Sequence, residues 1–273
     1  MALIEKNHLV RGVCKRGSQL HGKGYFPFIG QRLIEQIEPL KLLTVLQKIE
    51  KRGALEQTSK IRRRCGEVLR YDVATGRAKY NFAPDLAIAL SKPKTQHFPF
   101  LTESELPEFV NALDNYPGSL VTKYATQLLM LTGVRTIELR AAEWAEFDLD
   151  NALLEIPKER MKKHHPHLVS LSCQAMSILK KLQEITENYN LVFHGRNDVR
   201  KPISEASINK VIKLLGYHGR LTGHVFRHTM NTFLHEHDFE SAWIEMQLAH
   251  GDKNSIRGTY NHAQYLVARR KML

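Results

Sequence analysis

The 273-residue chain predicts a mainly α fold with a small antiparallel β-sheet, an α+β arrangement. Three observations carry this expectation. Apolar residues recur at steps of three and four through most of the chain, the period of one helix face. Start and stop residues bracket those runs: Pro39, Thr102, Ser172 and Ser204 open them, and Gly53, Gly133 and Gly216 close them. Short apolar runs suited to strands are confined to 153–157, 168–171 and 191–193.

Residues 1–26 hold four glycines, five Lys/Arg and no sustained periodicity, and read as a basic arm. Glu38-Pro39 then opens a helix, with Leu40, Leu43, Leu46 and Ile49 at helical spacing as far as Gly53. A second helix runs from Leu55 or Thr58 to Ala74, with Ile61, Cys65, Val68, Leu69 and Val73 as its apolar stripe. Asp85–Leu90 gives a short third helix. The polar, two-proline stretch 91–99 is the candidate interdomain linker, with its core at 96–100. Thr102 and Glu105 form a capping box that opens a new helix. Leu120–Leu131 is a helix that ends at Gly133. Leu153–Pro157 and Leu168–Leu171 are strands around the polar connection 158–167, and Leu191–Phe193 is a candidate third strand. Ser172 caps a helix through Ile178, Leu179, Leu182 and Ile185. Ser204 caps another through Ile208, Val211, Ile212 and Leu215.

Charge is distributed unevenly. Of 40 Lys/Arg and 28 Asp/Glu, residues 1–95 hold 19 and 8, and the remainder hold 21 and 20. The net +12 is thus concentrated in the first third, which suggests a polyanion partner, most often nucleic acid. Arg62, Arg63 and Arg64, with Lys60, are candidate phosphate contacts on the second helix. No apolar run approaches the ~20 residues of a membrane span, and no signal-peptide pattern opens the chain. Three scattered cysteines without a CxxC read as reduced thiols of a cytoplasmic protein. The histidines follow no metal-ligand spacing, neither at His164, His165 and His167 nor at His228, His235 and His237.

Candidate chemistry gathers in the second half. Arg135 follows Gly133, with Glu138 one helical turn on. His224 and Arg227 share a helix face near its N-terminus, with Thr222 as the expected cap and Phe226, Met230, Phe233 and Leu234 as the opposing apolar stripe. His250 precedes Gly251, and Tyr260 follows ten residues later. Two forked cations, two proton carriers and a phenol suit one substrate type, a phosphodiester. Taken singly, Arg135–Glu138 also fits a surface ion pair, and His250 fits a helix C-terminus. Tyr260 and Tyr265 lie five residues apart and would point about 140° apart on a helix. Tyr260, among Arg257, Gly258, Thr259 and Asn261, is the available one, and Tyr265, among Ala263, Leu266 and Val267, reads as core.

LTGVRTIELRAAEWAEFDLD, IPKERMKKHHPHLVSLS, LTGHVFRHTMNTFLHE and IEMQLAHGDKNSIRGTYNHAQYL together resemble the tyrosine recombinases, and within them the P4-like integrases of bacterial genomic islands. The likeness covers most of 101–273 in the family's order. Residues 27–95 resemble, more weakly, the family's helical core-binding domain. The resemblance implies that domain followed by a catalytic domain at 101–273. It implies that Arg135 and Arg227 clamp the scissile phosphate, that Lys162 protonates the leaving 5′ oxygen, with Lys163 as the other candidate, and that Glu138 orients the site. His224 would assist proton transfer, His250 would bond a phosphate oxygen, and Tyr260 would form a 3′-phosphotyrosine. Lys163 is also a candidate DNA contact. No metal or other cofactor is called for. Implied partners are double-stranded DNA attachment sites and three further copies of the chain, a homo-tetramer on DNA and a monomer without it, with DNA-bending or excisionase proteins as accessories. Members usually carry more chain ahead of the core-binding domain, so a shortened N-terminus with weaker site-specific binding is expected. The rival readings are a catalytically idle DNA-binding remnant and a type IB topoisomerase.

Overall fold

The computed structural model describes residues 34–93, 100–161, 164–249 and 265–273. The expected basic arm lies outside them, as does most of the expected linker core. Chain contacts divide the protein into two compact units, residues 1–96 and 97–273.

The first unit is built on α1 (Pro39–Glu50) and α2 (Leu55–Ala74). Proline at the first turn costs no hydrogen bond, and Gly53, at φ 78°, takes the left-handed conformation that lets the chain reverse. Leu42, Val45, Leu46 and Ile49 form the buried face of α1, while Leu40 is 71% exposed. The expected stripe holds at Leu46 and Ile49, with Leu43 packed against the core, and fails at Leu40. The buried i, i+3, i+4, i+7 set begins at Leu42, and Leu40 falls on the opposite side. On α2 the expected stripe meets the core at Ile61, Cys65 and Leu69, with Thr58, Gly66 and Asp72 buried beside them, while Val73 is exposed. Phe82, Ala83 and Leu86 complete this core. The chain approaches α2 closely at Gly66, where an added Cβ would lie 3.4 Å from that of Ala83. The expected helix at 85–90 is only a 3-10 turn, Asp85–Ala87. Its bonds run i to i+3, as suits a segment too short to nucleate α-helix.

The second unit opens with the Thr102–Glu105 box: the Glu105 carboxylate accepts from the Thr102 backbone N–H at 2.9 Å. A 3-10 turn at Glu103–Glu105 leads into α3 (Leu106–Asp114), followed by α4 (Leu120–Thr132) and α5 (Thr136–Arg140). Strands β1 (Phe147–Asp148), β2 (Leu153–Ile156) and β3 (His167–Ser170) form one antiparallel sheet in the order β1-β2-β3. Leu154 sits opposite Phe147 on one side and Val169 on the other, and Ile156 opposite His167. Helices α6 (Cys173–Thr186), α7 (Ser207–Leu214), α8 (Val225–Glu236), α9 (Ser241–Gln247) and α10 (Leu266–Met272) complete the described α-helices.

Leu191–Phe193 is not the third strand; β1 is. Val192 N–H bonds Ala142 O and Ile203 N–H bonds Phe193 O, so this run pairs with two separate segments and never forms a ladder. The cap of α8 also differs, because His224 rather than Thr222 occupies it. Ser172 does cap α6, accepting from Ala175 N–H at 3.3 Å. Ser204 stands a turn ahead of α7 and bonds Ser207.

Helix α4 packs against α6 and α7, and its inward residues Ala125, Leu128 and Leu129 join Leu154, Val169, Leu179, Ile208 and Phe226 in the main core. A smaller core joins Leu234, Ile244, Leu248 and Met272, fastening α8, α9 and α10 together. Among the described residues no helix is long and apolar enough to cross a membrane.

Candidate active site

The site begins where α4 stops. Gly133 ends that helix at φ 63°, and a Cβ there would lie 2.6 Å from a Leu248 methyl carbon and 2.7 Å from the Met230 sulfur. Only glycine fits both the turn and the packing. The chain then turns at Arg135, the N-cap of α5. Glu138 reaches back from one turn on: one carboxylate oxygen accepts from the Arg135 backbone N–H at 2.8 Å, the other from its guanidinium at 2.6 Å. Glu138 is 2% exposed and the Arg135 side chain about a quarter exposed, so the buried acid aims a partly open cation. The local spacing predicted this pair.

Arg227 belongs to the same cluster but not on the open polar face the spacing suggested. It is 5% exposed, and its guanidinium donates to the Gly133 and Leu248 carbonyls. Burial lowers its pKa to about 10; Arg135 pushes the same way and Glu138 opposes. It stays cationic at neutral pH. Two guanidinium groups and one carboxylate thus interact across α5 and α8, leaving a net positive site suited to a phosphate monoanion. His224, at the head of α8, is exposed.

Around this cluster lies a set of polar contacts that motif reading missed. His167 on β3, 5% exposed, bonds the Met246 carbonyl through Nε2 at 3.0 Å. Its pKa falls to about 4, chiefly by burial, with Arg269 and Arg227 adding to the fall while the Met246 bond and Glu138 oppose it. Gln247, fully buried, donates to the Thr132 and Ser170 carbonyls and accepts from Arg269 of α10 at 2.7 and 3.0 Å. Arg269 also bonds the Leu168 carbonyl. The end of α9 is therefore tied to the stop of α4, to the sheet and to the last helix. One signal was available for His167: it stands two residues before Val169, on the inward face of the strand.

Lys162, Lys163, His250 and Tyr260 lie outside the described residues. Tyr265 is half-buried at the head of α10 rather than core, and the neighbouring Val267 is 70% exposed. On the first unit, Arg62 is occupied: it donates to the Ala83 and Pro84 carbonyls and braces α2. Arg64 pairs with Glu67, Lys60 pairs with Glu56, and Arg63 is exposed. No group of three or more His, Cys, Asp or Glu among the described residues is placed to hold a metal.

Residues 99–266 match the phage integrase family, and residues 15–89 match the phage integrase central domain, so the second match begins ahead of residue 27. The integrase of Shigella phage Sf6 is 46% identical over 248 residues, covering 90% of this chain and 64% of the relative. The integrase of Enterobacteria phage P4 is 36% identical over 267 residues, covering 91% and 60%. The chain thus spans less than two thirds of the length of these relatives. The Tn1549 transposon integrase, solved in complex with circular intermediate DNA, aligns over 97% of this chain and 99% of its own with a TM-score of 0.69. At 13% identity that likeness shows the shared fold. With the family's domain spanning α3 to the start of α10, and relatives of this identity over nine tenths of its length, the chain belongs to the phage integrase family of tyrosine recombinases, of the P4-like type.

Proposed function

We propose that this chain cleaves and rejoins double-stranded DNA at specific sites through a 3′-phosphotyrosine, integrating or excising mobile DNA. The observation that carries the reading is the Arg135–Glu138–Arg227 cluster: two permanent cations held beside one buried carboxylate. Arg135 and Arg227 grip the non-bridging oxygens of the scissile phosphate and stabilise the charge of the pentacoordinate transition state. Glu138 fixes the direction of Arg135. The Tyr260 oxygen attacks phosphorus and loses its proton with help from His224, while His250 bonds a phosphate oxygen. Lys162, or its neighbour Lys163, gives a proton to the departing 5′ oxygen. A 5′-hydroxyl from the partner strand then attacks the ester and releases Tyr260. The ester conserves bond energy, so the cycle needs neither ATP nor a metal.

Exchange between two sites calls for four copies on DNA, with DNA-bending or excisionase proteins setting direction, in the bacterial cytoplasm where that DNA lies. The test uses nicked duplexes tiled across the DNA flanking the chain's own gene, which trap the intermediate because the cleaved strand end diffuses away. A detergent-resistant protein–DNA adduct is expected, unchanged in chelator and lost in Tyr260→Phe. A chain that binds these duplexes without forming an adduct is an idle DNA-binding remnant, and the proposal falls.

A further inference from the structure

The connection between β2 and β3 carries Lys162 and Lys163, and its root is anchored by a side chain with no assigned role. Arg160 ends the 3-10 turn Lys158–Arg160 directly ahead of them. One of its terminal nitrogens bonds both carboxylate oxygens of Glu146, each at 2.7 Å, and the Ala141 carbonyl. The other bonds the main-chain carbonyl of Glu138. Four acceptors from two segments thus converge on one guanidinium, a preorganised fork. Met161, the next residue, is 5% exposed and packed in the main core. Its carbonyl accepts from His164 N–H at 3.1 Å. Glu138 is held twice over: its carboxylate grips Arg135, and its carbonyl is gripped by Arg160.

We propose that Arg160 is a positioning residue that sets the proton-donating lysine relative to the phosphate clamp, through Glu138. The inference rests on the reading of Lys162 or Lys163 as general acid. Lys162 lies two residues beyond Arg160, within about 7 Å along the chain. A displaced root moves the ammonium away from the leaving oxygen, and an error of about 1 Å in such a group costs on the order of 100-fold in rate. The Glu146 carboxyl is pulled above its ordinary range by burial, with Arg160 as the main opposing influence, so the pair is mutually dependent.

The test compares adduct formation on two nicked duplexes, one with the ordinary 5′ bridging oxygen and one with sulfur in its place. A thiolate leaves without being protonated, since thiols ionise near pH 8.5. On the oxygen duplex Arg160→Gln is expected to slow adduct formation about 100-fold. On the sulfur duplex the loss should shrink to about threefold or less, the pattern expected of a missing proton donor. Glu146→Gln keeps Arg160 and its carbonyl bonds, and should show the same pattern at smaller size. Equal slowing of both variants on both duplexes would make Arg160 a general brace and overturn the inference. Lys162→Ala and Lys163→Ala separate the two readings. If one of them shows sulfur rescue and Arg160→Gln does not, only the positioning role fails. If neither lysine variant is rescued, the general-acid reading fails, and the positioning role with it.

Discussion

Acid should loosen the catalytic unit through His167. This imidazole is buried between β3 and the end of α9, with Nε2 on the Met246 carbonyl and Nδ1 facing no hydrogen-bond partner. Donation to a carbonyl places the neutral ring's proton on Nε2. A second proton on Nδ1 would create a buried donor without an acceptor, near the positive charges of Arg269 and Arg227 and only partly offset by Glu138. The folded pKa of about 4 lies below the ordinary 6.5, so the unfolded chain binds more protons between those values. The stability this histidine contributes is therefore full above pH 6.5 and disappears as pH falls toward 4. The depression corresponds to about 3 kcal/mol in all, of which about 2 is lost between pH 7 and pH 5. That is a large share of a typical 5–15 kcal/mol total. Both tryptophans, Trp144 and Trp243, lie in the second unit, so their fluorescence follows its unfolding in urea. His167→Gln can still donate to Met246 but does not titrate. The wild type should lose about 2 kcal/mol more than this variant between pH 7 and pH 5, while the other titrating groups cancel in the comparison. A gap between the two proteins that is the same at both pH values would refute the argument.

Gly133→Ala should destabilise the second unit by about 1–3 kcal/mol, because it combines a left-handed φ with a clash against Leu248 and Met230. The same change shifts the carbonyl that holds Arg227, so adduct formation should fall even at temperatures where the variant stays folded. Gln247→Leu and Arg269→Met should rank in a fixed order by thermal melting. Losing Gln247 takes an acceptor from a buried cation and the donor from two buried carbonyls, at a cost of about 3–5 kcal/mol, while losing Arg269 unpairs neutral acceptors, the Gln247 amide oxygen and the Leu168 carbonyl, at about 1–3 kcal/mol. The reverse order would mean that Arg269 is held mainly by its other contacts.

What the sequence made legible was local. Arg135 and Glu138 interact because they are three residues apart at a helix start, and Gly133 is a stop because the helical period ends there. Thr102 and Glu105 cap each other for the same reason. What escaped depends on which distant segment a residue meets. Leu191–Phe193 has strand composition, yet its partners are Ala142 and Ile203, and no local pattern separates two single pairings from one ladder. Arg227 shows the limit most clearly. Its spacing from His224 placed it correctly on α8, but its burial is decided by Gly133 and Leu248, 94 and 21 residues away in the chain. A charge on an amphipathic helix is ordinarily solvated, so periodicity alone assigns such an arginine to water. It is held instead by main-chain carbonyls, which almost any residue can supply and which therefore leave no mark on side-chain identity. Arg160 follows the same logic, with two of its four acceptors on the backbone. The motif named Arg135 and Arg227 as candidates for a phosphate, and the carbonyls that hold Arg227 became visible only in the fold.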